Sequence, residues 1–107
     1  MNKNMKKPRY EDMYKAILTL RTLDECIHFF EDLCSVTELR AMEQRYQVAV
    51  LLDKGYIYND ILEMTGASSA TISRVRRSML DGGAGGVMRE VILREGLADK
   101  QKPEESE

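Results

Sequence analysis

The 107-residue chain contains no apolar run long enough to cross a bilayer and no leader pattern of charged, apolar and small residues. One intracellular, cytoplasmic domain without a membrane partner is therefore expected. Cysteine is scarce, with only Cys26 and Cys34, separated by seven residues in an apolar helical stretch. That spacing fits neither a CxxC zinc site nor a disulfide framework, so buried, reduced thiols are expected. His28 is the sole histidine and lies beside Phe29 and Phe30. Alone there, it reads as a helix-surface or partly buried residue rather than a ligand. No nucleophile is spaced with a base partner, so neither a catalytic residue nor a metal set is expected, and an enzyme is disfavoured. Period-two alternation is also missing, which leaves an all-α fold.

The helical signals are ordered along the chain. Residues 1–8 end at Pro8 and read as a flexible basic arm, and a first helix is expected from about Tyr10 to Leu20, with Met13, Ile17 and Leu20 on one face. Thr22-Leu23-Asp24-Glu25 is a capping-box sequence that opens a second helix through Leu33, and Ser35-Val36-Thr37-Glu38 opens a third. The third helix should run to about Lys54 and stop at Gly55, with Leu39, Met42, Tyr46, Ala49 and Leu52 as its apolar stripe. Two shorter helices follow, near 58–64 and 69–80. The run Asp81-Gly82-Gly83-Ala84-Gly85-Gly86 should break the chain before a last helix from about Val87 to Glu95. The helical domain is thus expected over 9–97, with 98–107 a disordered acidic tail.

The most specific pattern lies between Asn59 and Val75. Ile61 and Met64 sit three apart and are expected to face inward, Gly66 permits the positive φ that ends a helix, and Ser68 is placed to cap the next. Ile72 and Val75 then anchor that second helix. This is a helix-turn-helix over about 58–80, whose second helix would present Ser68, Ser69, Ala70 and Ser73, side chains small enough to approach base edges in a major groove. A plain αα-corner needs the same cap and turn, but not the Ser73-Arg74 pair or the full apolar spacing.

Net charge is −2, yet the charge is unevenly distributed. Lys3, Lys6, Lys7 and Arg9 precede any acid, Arg74, Arg76 and Arg77 follow the turn, and Asp99, Glu104, Glu105 and Glu107 lie in the tail. Basic groups therefore gather where phosphates would lie, although ordinary solvated helix charges give the same local composition. The expected contacts to double-stranded DNA come from Lys6, Lys7, Asn59, Ser68, Ser69, Ala70, Ser73, Arg76 and Arg77. The second helix, with Cys26, Ile27, Phe29, Phe30 and Leu33, reads as apolar on more than one face, and so small a domain has little with which to cover it. A second copy of the chain is the simplest cover, which would suit a palindromic operator.

The segment from Ser35 to Ser78 resembles the Trp repressor family. The resemblance rests on Ser-Val-Thr-Glu-Leu-Arg-Ala-Met opening the long helix, Arg45 one turn on, Leu51-Leu52 before Gly55, Gly66-Ala67, and Ala70-Thr71-Ile72-Ser73-Arg74. Size and helix order are similar to the YerC/YecD-type members. The resemblance implies an intertwined homodimer that binds operator DNA as a transcriptional repressor. It also implies an effector pocket: Arg45 and Arg74 on two faces of a planar ligand, Thr71 and Ser78 beside them, and Ser35 supplying a hydroxyl from the other protomer. Guanidinium planes suit such a ligand because they stack on rings and bond carboxylates. Val75 departs from the pattern, standing where tryptophan-binding members have glycine. A small carboxylate or another amino-acid corepressor, or no ligand, is therefore expected in place of tryptophan. Arginines at 45 and 74 that make an ion pair or a phosphate contact are the alternative to any pocket. For the whole chain, the alternative is a helix-turn-helix dimer used as a protein-interaction module with weak or no DNA binding.

Overall fold

The computed structural model describes residues 8–80 and 84–96. Among them are six helices, α1 (Glu11–Ile17), α2 (Leu23–Leu33), α3 (Val36–Asp53), α4 (Tyr58–Thr65), α5 (Ser69–Leu80) and α6 (Ala84–Arg94). The chain divides into two compact units, Met1–Leu39 and Arg40–Glu107, with the boundary inside α3. The expected arm residues 1–7, including Lys6 and Lys7, and the expected tail fall outside the described residues.

In the first unit, α1 stops at Ile17 rather than continuing to Leu20. The Thr19 N–H and hydroxyl both donate to the Ala16 carbonyl, at 3.0 and 2.7 Å, and the Leu20 N–H donates to Ile17. Those shorter-range bonds tighten the chain and end the helix. At α2, the Glu25 N–H donates to Thr22 Oγ1 at 3.0 Å while the Glu25 carboxylate accepts from the Arg21 N–H, one residue before the cap. The box at α3 is fully reciprocal: the Glu38 N–H donates to Ser35 Oγ at 3.1 Å and the Ser35 N–H to Glu38 Oε1 at 2.8 Å.

No residue of α2 is buried, and Leu23, Ile27 and Leu33 are exposed. Its apolar side chains occupy one broad arc of about 160° at 100° per residue, with Asp24, Glu25, His28, Glu31 and Asp32 opposite. This corrects the reading of several greasy faces. Cys26 and Cys34 are free thiols and half-buried rather than buried.

The second unit holds the core: Val48, Ala49, Val50, Leu51, Ile61, Ala67, Ile72, Val75 and Ile92. Four consecutive buried residues on α3 point about 100° apart, so the helix is enclosed on nearly all sides here. The expected stripe holds only in part, since Ala49 is buried, Leu39, Tyr46 and Leu52 are half-buried and Met42 is exposed. The helix closes in a Schellman arrangement, with the Tyr56 N–H donating to Leu51, the Gly55 N–H to Leu52, and Gly55 at φ 93°.

The last helix starts at Ala84, not Val87, so Gly85 and Gly86 lie inside it. The rest of the expected break, 81–83, falls outside the described residues. Ile92 is completely buried and Arg89 Nε donates to Asp53 Oδ1 at 3.0 Å. Burying an isoleucine is worth about 1.5–3 kcal/mol, whereas a pair with a largely exposed arginine is worth about 0–1 kcal/mol. Ile92 therefore holds α6, and the ion pair fixes its register on α3. The Tyr46 phenol stays protonated well beyond neutral pH, first because it is withdrawn from water and then because the Glu95 carboxylate repels its anion.

Candidate nucleic-acid interface

The turn between α4 and α5 is fixed by hydrogen bonds from three directions. Gly66 adopts φ 72° and its N–H donates to Leu62 at 2.9 Å, closing α4. The Thr65 hydroxyl donates to the Ile61 carbonyl at 2.7 Å and accepts from the Ala67 N–H at 3.0 Å. Gln44 Nε2, on α3, donates to the Thr65 carbonyl at 3.1 Å. Ser68 Oγ accepts from the Thr71 N–H at 3.1 Å, capping α5, and lies 3.1 Å from Thr71 Oγ1, to which it donates. Ser68 is thus occupied as a cap.

Burial then decides which way α5 faces. Ile72 and Val75 are in the core, while Ser69, Ala70, Ser73, Arg74, Arg76 and Arg77 are exposed. Asn59 is exposed in the first turn of α4. Ile61 is completely buried as expected, but Met64 is 48% exposed. Its register places it off the inward face, and the turn is held by Ile61, Ala67 and polar bonds instead. Among the described residues, the ion pairs join His28 with Asp24, Arg40 with Glu43, Arg89 with Asp53 and Arg94 with Glu90. Arg74, Arg76 and Arg77 have no acidic partner among them, and their charge faces solvent.

A groove of about 350 Å³ runs along this surface, lined by Tyr58, Ile72, Ser73, Arg76, Arg77 and Leu80. Tyr58 was not found from sequence. Its position beside Asn59 at the start of α4 was the only signal, and its meeting with two arginines of α5 is tertiary. Ile57, the α4 N-cap, makes no side-chain cap bond, and the Asp60 carboxylate in the first turn complements the helix dipole there. A phenol, a serine hydroxyl and two guanidinium groups are donors suited to phosphate oxygens.

The candidate effector residues are more dispersed in their roles. Arg45, Arg74 and Ser78 are exposed and Thr71 is half-buried, with its hydroxyl engaged by Ser68. Ser35 belongs to the first unit and caps α3. Val75 is 4% exposed and packs in the core. Among the described residues, no three His, Cys, Asp or Glu side chains are grouped to hold a metal ion, and no helix is long and apolar enough to cross a membrane.

Residues 9–94 match the family model described as Trp repressor protein. The chain is 45% identical over 69 residues to YerC of Bacillus subtilis (strain 168), an uncharacterized protein. That match covers 64% of this chain and 66% of YerC, just under two thirds of the relative. A TrpR-like protein from Eubacterium eligens ATCC 27750 has a similar crystal structure, with TM-score 0.78 and 44% identity over 89% of this chain and 96% of that one. A candidate Trp repressor from Staphylococcus aureus superposes with TM-score 0.80 at 36% identity, over 92% of this chain and 95% of that one. With the six-helix order and the helix-turn-helix geometry, these matches establish that the chain belongs to the Trp repressor family.

Proposed function

We propose that the chain is a sequence-specific DNA-binding transcriptional regulator, a repressor, acting as an intertwined homodimer on a palindromic operator in the cytoplasm. The observation that carries this reading is the outer surface of α5. Small residues at Ser69, Ala70 and Ser73 leave room for base edges, and Arg76 and Arg77 have no acidic partner among the described residues where phosphates would flank them. Lys6 and Lys7 add phosphate contacts from the arm, and Asn59 adds one from α4. Its family supports a binding protein rather than an enzyme. The protein-interaction alternative has no comparable support, because an unpaired basic surface beside small residues suits a polyanion better than an apolar protein face.

Dimerisation is supported by the uncovered apolar arc of α2, where Ile27 is 45% and Leu33 53% exposed in the single chain. Two copies would set two α5 helices about 34 Å apart, as in helix-turn-helix dimers, the Trp repressor among them. Sedimentation at low micromolar concentration is expected to give the mass of two chains. A well-folded monomer there would contradict the dimer.

Ala70→Glu would place a carboxylate against the bases and is expected to abolish operator binding. Arg77→Gln should lower affinity on all sequences and reduce the slope of log affinity against log salt by about one. Binding that survives Ala70→Glu unchanged would show that α5 is not the reading helix.

The Arg45 and Arg74 pair, with Thr71, Ser78 and the partner protomer's serine equivalent to Ser35, forms the proposed effector pocket. Tryptophan is not its ligand on this reading, since position 75 carries a side chain committed to the core where a glycine would leave space. Calorimetry is expected to detect no micromolar binding of L-tryptophan, and such binding coupled to tighter operator binding would overturn this.

A further inference from the structure

A second groove, of about 220 Å³, lies where the C-terminal end of α3 meets α5 and α6, lined by Leu52, Asp53, Arg76, Met79, Leu80 and Arg89. Its charges are not equivalent. The Asp53 side chain is only 8% exposed and is paired with Arg89 Nε at 3.0 Å, so these two groups neutralise one another. Arg76 has no partner among the described residues, which leaves the groove one net positive charge. Leu52, Met79 and Leu80 supply the remaining wall. A single unpaired guanidinium beside an apolar wall suits a monoanion with an aliphatic body, because the charge-assisted bond and the apolar contact are satisfied together. The volume is below the roughly 300–1,000 Å³ usual for drug-sized ligands, so the body is short.

We propose that this groove binds a small aliphatic monocarboxylate, distinct in place from the Arg45 and Arg74 pair, and that the ligand opposes DNA binding through Arg76. The second half rests on the DNA-binding reading. Arg76 lines both this groove and the one shared with Tyr58, Ser73 and Arg77 on the outer face of α5. A carboxylate that holds the guanidinium on the α6 side removes it from a phosphate on the other. Linkage then requires that DNA weaken the carboxylate by the same factor.

The probe is 4-methylpentanoate, titrated into the full chain carrying ¹³C-methyl methionine and followed by NMR. The Met79 methyl signal is expected to shift saturably while that of Met42, one turn from Arg45 on α3, does not. The matching alcohol, 4-methylpentanol, should give no saturable shift. Arg76→Gln, at an exposed position without a described partner, should weaken the carboxylate by about tenfold. Equal shifts with the alcohol, a saturable shift at Met42 in place of Met79, or no effect of Arg76→Gln would each overturn the site. In the second arm, 4-methylpentanoate is added to the protein on its selected DNA against sodium chloride of equal ionic strength. Weaker DNA binding with the carboxylate is expected. Unchanged DNA affinity despite saturation at Met79 would overturn the coupling alone, and a protein that binds no DNA would overturn the functional reading while the Met79 signal still decides the site.

Discussion

Burial of the inner side of α5 organises the second unit of the chain. Ile72 and Val75 enter one apolar cluster with Ile61, Ala67, Ile92 and the Val48–Leu51 stretch of α3. Each such side chain contributes about 1.5–3 kcal/mol when withdrawn from water, which is large against a domain's net stability of about 5–15 kcal/mol. Once those two positions are inward, helical geometry at 100° per residue turns Ala70, Ser73 and Arg77 outward and leaves Ser69 and Arg76 at the flanks, where both are exposed. The candidate interface is thus a consequence of core packing. Polar bonds set the finer angle between α4 and α5, through Gly66 and the Gln44 link from α3 to the Thr65 carbonyl.

The two units make different demands on their surfaces. The described residues from Arg40 onward enclose their own core, and what they expose at α5 is small and basic apart from Leu80 at its C-terminal end. Residues 1–39 bury nothing completely among the described positions and leave Leu23, Ile27 and Leu33 of the α2 arc exposed, with Cys26, Phe29 and Phe30 half-buried. An unpartnered apolar face of that kind is costly for a lone chain, and a second copy supplies its cover in the proposed dimer. The overall charge of −2 conceals the asymmetry, since among the described residues Arg74, Arg76 and Arg77 make no ion pair.

Much of the fold was legible because its signals are local. Capping residues Thr22, Ser35 and Ser68 each accept the N–H bond their spacing implied, and Gly55 and Gly66 each take the positive φ that ends a helix. Errors arose where a local pattern competed with something the sequence does not display. Thr19 ended α1 early by bonding back to Ala16, and the glycines at 85 and 86 were absorbed into α6. Ile92 explains the latter, because its burial offsets the weak helix preference of glycine, about 1 kcal/mol per residue. The α3 stripe was blurred because Val48–Leu51 is enclosed from several sides, and periodicity fades in such a segment. In the candidate interface, the outward residues of α5 could be read from the register of Ile72 and Val75. Tyr58 and the Gln44 contact could not, since each becomes meaningful only when a distant helix arrives beside it.

The central claim is that an α5 surface fixed by core packing reads DNA in a two-fold assembly. Selection of genomic DNA fragments bound by the full chain at physiological salt tests it most directly. Enrichment of a pseudo-palindrome whose half-sites are centred about one helical turn apart, near 34 Å, is expected. Recovery of fragments without a shared sequence, or no recovery at that salt, would contradict it.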